Sequence, residues 1–293
     1  QFCNTSTDLI VTTTGTDIEV NYQDFRNASG ESIEVGDGAS INANTGSVSF
    51  DRTVYPVPYG NTGSTIFNTH TTDTATTGLP QGDVVVHVRV TDADYNVSAM
   101  GEDKIQDANV TLNIERGSKV QFLATYGNTT SGATDSLTAD GAITEVSPDS
   151  GVFEADVTVA FTAGPTTNCP TAFGGTGCVL QGDIITVEYT DNYDASGKTQ
   201  TVTDSATFDL RNGVLQSDKS VYLIGSDMIL TLIEPDFDLD NDGAQSLTLD
   251  LIEWDSDAAT ITIEDGTTFD PEPSTFRETG DSTGIFQVVI EIP

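Results

Sequence analysis

Hydrophobic and polar residues alternate along almost every regular segment of the chain. In GVFEADVTVAF, the residues Phe153, Val157 and Phe161 share one face, while Glu154 and Asp156 lie on the other. A period of two is typical of a β-strand with one buried face. Similar segments occupy residues 83–90, 108–115, 119–127, 183–191, 227–234, 245–254 and 285–292. Helical patterns are nearly absent, so the sequence predicts an all-β protein built from tandem immunoglobulin-like β-sandwich domains.

The chain also repeats itself over a long distance. The segment TDIEVNYQDFRNASG around Tyr22 returns as GDIITVEYTDNYDASG around Tyr189, which lies 167 positions later (189 minus 22). Residues 44–60 return in the same way as residues 211–227. A long period is typical of an array of domains. Because tandem modules usually provide length, spacing or a multivalent surface, the repeat favours a structural or binding role over catalysis.

Alignment of the copies predicts three units along the chain. Residues 1–46 are expected to supply the C-terminal strands of a preceding, incomplete unit. Residues 47–212 form one complete sandwich, and residues 213–293 supply the N-terminal part of a following, incomplete unit. Half a sandwich exposes open strand edges, which invite pairing with another chain. The chain is therefore expected either to be a fragment of a longer array or to complete its partial units by strand exchange.

The complete unit carries an expected insertion. Asp83 aligns with Asp227 at an offset of 144 residues, which is 23 fewer than the repeat distance. The extra residues fall in the polar, Thr-rich stretch 60–81. We expect this stretch to be a surface insertion or a long hairpin.

The chain is strongly acidic. It has 10 Lys plus Arg against 46 Asp plus Glu, for a net charge of −36. A phosphate backbone requires the opposite field, so the composition argues against nucleic acid as a partner. Two explanations stay open: adaptation to a saline medium, in which salt screens the self-repulsion, or a functional surface that binds divalent cations.

The strongest local signal for cation binding is the acidic loop EPDFDLDNDG at 234–243. Alternate aspartates in a turn can direct carboxylates toward one centre, and Ca²⁺ takes six to eight oxygen ligands. The predicted ligands are Asp236, Asp238, Asp240 and Asp242. The offset of 144 residues predicts a second, weaker site at Asp92, Asp94 and Asn96. The D-x-D-x-D-G opening resembles an EF-hand loop, but its twelfth position is Leu249 and no helices flank it. A solvated acidic turn is the alternative.

Cysteines and glycosylation sequons favour a location outside the cell membrane. The Gly-rich spacer between Cys169 and Cys178 can bring them within bonding distance as a disulfide, while Cys3 would have its partner missing or on another chain. Five candidate glycosylation sites occur: Asn4, Asn27, Asn96, Asn109 and Asn128. No apolar run approaches the roughly 20 residues that span a bilayer. We expect a mature or trimmed piece whose anchor lies elsewhere.

The sequence offers little for catalysis. Its two histidines are His70, in the Thr-rich stretch, and His87, in a strand between valines. No H-E-x-x-H motif or phosphate-binding glycine loop occurs. The sequence predicts that the protein is not an enzyme. A secreted hydrolase with an unrecognised carboxylate pair is the remote alternative.

Three segments carry a family resemblance. SDKSVYLIGSDMILTLIEPDFDLD (217–240), SLTLDLIEWDSD (246–257) and ETGDSTGIFQVVIEI (278–292) resemble the surface-layer (S-layer) proteins of ammonia-oxidising archaea. The resemblance implies a secreted, glycosylated protein that assembles with copies of itself into a porous two-dimensional lattice on the cell surface. It also implies that divalent cations aid assembly, and that the acidic surface draws ammonium toward the membrane.

Two functional hypotheses follow. The first is a structural lattice protein of the archaeal cell envelope with an acidic, cation-binding surface. The alternative is an extracellular adhesin or cadherin-like stalk, in which calcium between domains stiffens a string of sandwiches.

Overall fold

The computed structural model of the chain describes residues 2–3, 9–10, 14–61, 82–105, 109–117, 119–126, 137–138, 142–164, 179–249, 252–255, 260–262 and 275–292. In these residues the protein is nearly all β, which confirms the predicted all-β class. The tandem immunoglobulin-like arrangement stays a prediction. Helix is confined to short 3-10 turns, among them η1 (Ala93–Tyr95) and η2 (Pro235–Phe237). No helix of the described chain is long and apolar enough to cross a membrane.

The first strands form hairpins. They are β1 (Phe2–Cys3), β2 (Leu9–Ile10), β3 (Thr16–Asp24) and β4 (Ile33–Ile41). Strands β1 and β2 pair with each other, and β3 pairs antiparallel with β4 along its whole length. The β3–β4 turn is held by Asn27, whose side-chain oxygen accepts hydrogen bonds from the backbone of Ser29 and Glu31 at 2.9 and 3.0 Å.

The central strands form two main sheets. They are β5 (Ser47–Phe50), β6 (Val54–Tyr55), β7 (Tyr59–Asn61), β8 (Val84–Thr91), β9 (Lys104–Ile105), β10 (Val110–Arg116), β11 (Lys119–Tyr126), β12 (Leu137–Thr138), β13 (Ile143–Glu145), β14 (Val152–Val159), β15 (Thr162–Gly164), β16 (Ile184–Asp191) and β17 (Gln200–Phe208). One sheet has the order β11-β10-β16-β17-β6, and the other has the order β5-β8-β14-β13-β9 with β12 also on β14. Strands β7 and β15 pair in parallel. We call strands β5 to β17 the middle unit.

One hydrophobic core joins the two sheets of the middle unit. The alternation that predicted strands also selects the core, because every second residue points inward. In β8 the valines Val84, Val86, Val88 and Val90 are completely buried, while the residues between them are not. They share a cluster with Val187 and other residues of the facing sheet. The middle unit is therefore a sandwich.

The remaining strands form a smaller assembly, which we call the last unit. They are β18 (Val214–Ser217), β19 (Asp227–Ile233), β20 (Ser246–Thr248), β21 (Glu253–Asp255), β22 (Thr260–Thr262), β23 (Thr275–Glu278) and β24 (Ile285–Glu291). Strands β18-β19-β24-β23-β20 form one sheet and β21–β22 form a hairpin. A separate core cluster includes Leu230, Phe276 and Phe286.

The two long hairpins match residue for residue. Asp17 pairs with Ser40 in β3–β4, and Ile184 pairs with Thr207 in β16–β17. Each residue of the second pair lies 167 positions after its counterpart in the first pair (184 minus 17, 207 minus 40). In the turn of β16–β17, Asp194 accepts the same backbone hydrogen bonds that Asn27 accepts in β3–β4.

A glutamate turn also recurs. Glu145 accepts hydrogen bonds from the backbone of Ser150 and Gly151, both at 2.7 Å. In the last unit, Glu278 accepts the equivalent bonds from the backbone of Thr283 and Gly284, both at 2.8 Å. Gly284, the counterpart of Gly151, has a φ of 57° and leaves no room for a Cβ beside Pro235. Glycine is required there because other residues rarely adopt this backbone conformation.

The strand pairing corrects one detail of the sequence alignment. Ser47 pairs with Thr91, and its counterpart Val214 pairs with Ile233. Thr91 therefore corresponds to Ile233, which lies 142 positions later (233 minus 91). The expected offset of 144 was wrong by two residues, because a shift of two preserves the alternation of a strand and the hydrophobic pattern does not detect it. The expected insertion in the middle unit grows by the same two residues, and most of it lies outside the described residues.

Candidate functional site

The acidic loop, residues 234–243, begins as a turn that both units share. Glu234 caps η2 by accepting a hydrogen bond from the backbone of Asp236 at 3.3 Å, and Asp92 caps η1 by accepting one from Asp94 at 2.8 Å. The structure therefore matches Asp92 with Glu234 and Asp94 with Asp236. The expected match of Asp92 with Asp236 was wrong by the same two residues. In the corrected alignment Asn96 corresponds to Asp238.

Two of the four predicted calcium ligands bind arginines. The side chain of Asp236 accepts hydrogen bonds from the backbone and side chain of Arg211 at 2.8 and 3.4 Å. Arg52, in the middle unit, donates to the carboxylate of Asp238 at 2.8 Å and to its carbonyl oxygen at 2.7 Å. The side chains of Arg52 and Asp238 are only 11% and 8% exposed. Burial raises the pKa of Asp238, although the charge of Arg52 opposes that rise.

The other two predicted ligands lie beside His87 of the middle unit. The ring nitrogens of His87 lie 2.8 Å from Asp156 and 3.2 Å from Asp240. Asp242 is 4.0 Å away, and its backbone donates to the Asp240 carboxylate at 3.0 Å. Burial opposes protonation of His87, but its hydrogen bond to Asp156 and the nearby carboxylates raise its pKa above the ordinary value. The protonated ring can donate from both nitrogens and so holds Asp156 and Asp240 together.

Backbone and apolar contacts complete this junction between the units. The carbonyl oxygen of Leu239 accepts a hydrogen bond from the backbone of Val85 at 2.9 Å. The Leu239 side chain packs against the core of the middle unit. Asn241 donates to the carboxylate of Asp51. The acidic loop of the last unit is thus docked at the beginning of β8.

A tyrosine–aspartate pair positions the strand that receives the loop. Tyr55 donates from its hydroxyl to Asp51, and Tyr222 donates to Asp218 at 2.6 Å in the last unit. Burial raises the pKa of Tyr55, so its hydroxyl stays protonated and can donate. Asp51 also accepts from the backbone of His87 at 3.2 Å, which connects this pair to the junction.

The second predicted calcium site is divided among different partners. Asp92 is 1% exposed and accepts from the hydroxyl of Tyr189, and burial raises its pKa. Asp94 accepts from the backbone and side chain of Asn44 at 3.0 and 2.8 Å. Asn96 donates from its side chain to Asp149 at 3.1 Å. Each residue of this group therefore has its own structural role in the described chain.

These arrangements give a limited fit to calcium. Among the described residues, one group of three His, Cys, Asp or Glu residues brings its ligand atoms within 4.8 Å of one another, and it consists of His87, Asp240 and Asp242. Calcium prefers a larger set of oxygens, whereas imidazole suits transition metals. The described loop does not present a calcium cage, and calcium binding by this protein stays a prediction.

Only some of the residues predicted for glycosylation or for a disulfide lie in the described part of the chain. Asn27 is half-buried in the β3–β4 turn, where its side-chain oxygen accepts hydrogen bonds from the backbone of Ser29 and Glu31. The side-chain nitrogen of Asn109 donates to the hydroxyl of Tyr95 at 2.8 Å, and that of Asn96 is also engaged. Asn4, Asn128, Cys169 and Cys178 lie outside the described residues, as do most of the residues of the predicted insertion 60–81.

The contacts that Arg52 and His87 make with the acidic loop were not predicted from the sequence. The sequence places His87 in a strand between valines and gives no local signal at Arg52. A signal was present, because the repeat places Lys219 opposite Arg52 and, at the corrected offset, Ile229 opposite His87. The middle unit therefore departs from its copy at two of the positions that contact the acidic loop.

Comparison of the chain with protein-family models and with curated proteins found no match.

Proposed function

We propose that this chain is a structural segment of an extracellular surface-layer protein. Its immunoglobulin-like units are joined in series and self-assemble into a porous lattice on the cell surface. The chain has no catalytic role in this proposal. Its acidic exterior binds divalent cations and enriches ammonium near the cell.

The junction between the middle and last units carries this proposal. A buried Arg52–Asp238 pair, the His87 contacts and the docked Leu239 fix the junction by charge, hydrogen bonding and packing together. Linkers between independent binding modules are usually flexible and polar. A fixed junction suits a protein whose task is to hold a shape.

The charge distribution supports the same role. The chain has 10 Lys plus Arg, and the junction uses Arg52 and Arg211 against carboxylates of the acidic loop. Acidic groups elsewhere, such as Glu19 and Glu34 on the β3–β4 hairpin, are exposed. A dense polyanion raises the local concentration of cations, and salt screens this effect.

The junction also weighs against the calcium-stiffened stalk. In that alternative, carboxylates at the boundary between domains would share a calcium ion. Here Asp236 and Asp238 bind arginines, so the protein supplies the positive charge itself. Calcium in the lattice would then bind elsewhere on the acidic surface.

Electron microscopy of the purified protein and of native envelopes tests the proposal. We expect ordered two-dimensional arrays, and extended single particles with no lattice under any salt condition would contradict it. Chelation with EDTA is the second measurement. Dispersal of the arrays would support a role for divalent cations, and unchanged arrays would remove that role while leaving the structural one.

A further inference from the structure

The junction between the middle and last units brings an imidazole and two carboxylates together. The Nε2 atom of His87 lies 3.2 Å from Asp240, and the Asp242 carboxylate lies 4.0 Å from the Nδ1 atom of the same ring. The ligand atoms of these three residues lie within 4.8 Å of one another. Two ligands of one tetrahedral zinc ion, each about 2.0–2.2 Å from it, lie about 3.4 Å apart. The separation of His87 and Asp240 therefore already fits a shared metal ion.

Asp156 orients the His87 ring for such an ion. The two residues lie directly opposite each other in the antiparallel pairing of β8 with β14, and the Asp156 carboxylate lies 2.8 Å from Nδ1. In a neutral ring this contact places the proton on Nδ1 and leaves the lone pair on Nε2, beside Asp240. Histidines that bind metals usually donate the other ring N–H to a carboxylate in this way. Both strands belong to the middle unit, so the ring is oriented within that unit.

The charges around His87 also favour a dication. The carboxylates of Asp156, Asp240 and Asp242 lie around the ring, and a protonated ring leaves a net charge of −2 (three negative, one positive). Arg52 is engaged elsewhere in the acidic loop. A divalent ion bound to a neutral ring leaves −1 (three negative, two positive), so it reduces the repulsion among the carboxylates.

An ion can reach this group from the solvent. The side chains of Asp240 and Asp242 are 41% and 75% exposed, whereas that of His87 is 13% exposed. A pocket of about 320 Å³, lined in part by Ser49 and Asp51, lies beside His87. The exposed Asp242 carboxylate is free to turn toward the ion, and water can occupy the remaining coordination position.

The repeat replaces the whole group at once. The strand pairing matches the opposed pair of β8 and β14 with an opposed pair of β19 and β24, and the corrected offset matches the two loop residues. The matching residues are His87 and Ile229, Asp156 and Val289, Asp240 and Ser98, and Asp242 and Met100. None of the four counterparts carries an imidazole or a carboxylate. A solvated acidic turn requires no such match between the loop of one unit and the strands of the other.

We propose that a transition-metal dication binds between the two units, with His87, Asp240 and Asp242 as its ligands and Asp156 as the residue that positions the ring. Imidazole suits zinc, copper and nickel, whereas calcium prefers six to eight oxygens. The ion takes the place of a proton between Nε2 and Asp240, and that proton leaves to the solvent. The ion thereby connects β8 of the middle unit to the acidic loop of the last unit.

This inference does not depend on lattice formation, because it concerns metal binding by the purified chain in solution. Isothermal titration calorimetry of protein freed of metal by EDTA and dialysis tests it, with Zn²⁺ and Ca²⁺ as the probes. We expect one Zn²⁺ site that His87→Gln removes and for which Ca²⁺ competes poorly. Absence of Zn²⁺ binding by the wild type would overturn the inference, as would Ca²⁺ that displaces Zn²⁺ at similar concentration.

The second histidine of the chain supplies a matched control. His70 lies outside the described residues, and His70→Gln makes the same chemical change as His87→Gln. We expect His70→Gln to bind Zn²⁺ as the wild type does. Loss of the site in His70→Gln, or its survival in a folded His87→Gln variant, would contradict the proposal.

Variants of the loop keep the test valid if His87→Gln fails to fold. Asp240→Asn and Asp242→Asn each remove one charge at an exposed position and should weaken Zn²⁺ binding more than ten-fold, roughly the least that loss of an outer partner costs. Glu19→Gln removes one charge from the exposed face of the β3–β4 hairpin and should leave the affinity unchanged. Equal losses in the three variants would mean that the general charge of the chain attracts the ion, and would overturn the site.

The positioning role of Asp156 has its own readout. Asp156→Asn should weaken Zn²⁺ binding by roughly ten- to one-hundred-fold. Asp156→Glu keeps the carboxylate and should recover most of that affinity. Equal affinities of the Asn and Glu variants would contradict the assigned role.

Hydrogen exchange shows whether the ion joins the units. The backbone amide of Val85 donates across the junction to Leu239, and the amide of Gly225 donates to Ile292 within the last unit. Zn²⁺ should slow exchange at Val85 more than at Gly225, because it stabilises the docked loop. Exchange at Val85 that Zn²⁺ does not change would contradict a metal bridge between the units.

Discussion

The middle and last units share a scaffold and differ in what is built on it. Both contain the tyrosine–aspartate pair and the glutamate turn. In the middle unit the hairpin β16–β17 covers one side, and Arg52 and His87 receive the acidic loop. In the last unit no hairpin covers that side in the described residues, and Lys219 and Ile229 stand at the positions of Arg52 and His87.

This difference shows which features of the hairpins depend on their own sequence and which depend on contacts with other strands. The β3–β4 hairpin keeps the register and turn of β16–β17 without the same cover, so its own sequence specifies its shape. Burial of Val187 and exposure of Val20 depend on which strands lie opposite. The sequence of each unit therefore determines its own scaffold. A few residues that differ between matching positions of the units determine how the units join.

The largest expected effect is at the buried ion pair of the junction. Arg52→Ala leaves the buried Asp238 carboxylate without its cation and should cost about 3 kcal/mol of the free energy of unfolding. The repeat supplies the control, Lys219→Ala, because Lys219 is 55% exposed and lies 3.5 Å from Asp218. We expect no measurable loss there. Chemical denaturation of both variants makes the comparison, and equal losses would contradict it.

The next effect concerns the hairpin cover. Val187→Ala removes apolar atoms from a closed core and should cost about 2 kcal/mol. Val20→Ala should change the stability of the monomer by less than about 0.5 kcal/mol, because Val20 is exposed. Denaturation at low protein concentration checks both. A large loss for Val20→Ala would mean that another part of the chain covers the hairpin.

A third comparison uses the two glycines that begin the units. A Cβ at Gly46 would lie 2.5 Å from the Tyr189 ring and 2.9 Å from Asp92. Gly46→Ala should therefore cost roughly 1–3 kcal/mol by overpacking. At Gly213 the clash is with the flexible end of Glu234, which can move aside, so Gly213→Ala should cost less. Thermal unfolding measures both, and the reverse order would be inconsistent with the structure.

The smallest effect is the pH dependence of the junction. Asp156, Asp51, Asp240 and Asp242 face His87, whose pKa is raised in the folded state. Its stabilising charge is fully present below the unfolded pKa of about 6.5 and is lost as the pH rises through the folded pKa.

The variant His87→Ile copies the residue of the last unit at this position. Wild type should lose stability relative to this variant as the pH rises from about 6 to about 9. Denaturation curves across that range give the difference in free energy. A difference that stays constant with pH would remove the role of histidine charge at the junction.

The sequence predicted the fold class because alternation along a strand is a local property. The long repeat also located two matching hairpins. It did not give the offset of β8 and β19, since Asp83 and Asp227 both begin alternating segments and a shift of two residues looks the same.

The partners of the acidic loop were harder to predict. Asp238 and Asp240 suggested convergent calcium ligands because they are close in sequence. In the structure they bind Arg52 and His87, which lie 186 and 153 residues away along the chain. No local pattern encodes such contacts. The difference between Arg52 and His87 and their counterparts Lys219 and Ile229 was the available clue.

The pairing of β6 with β17 has a mechanical consequence. Strand β6 lies near the point where the chain enters the middle unit, and β17 ends at Phe208, where the chain leaves it. The two strands pair in parallel. Backbone bonds join Thr207 to Thr53 and Asp209 to Tyr55, both at 3.0 Å. Tension on the chain pulls the two strands in opposite directions along their length. The two bonds are then loaded together instead of one after another, so the pairing resists stretching along the direction in which the units are connected.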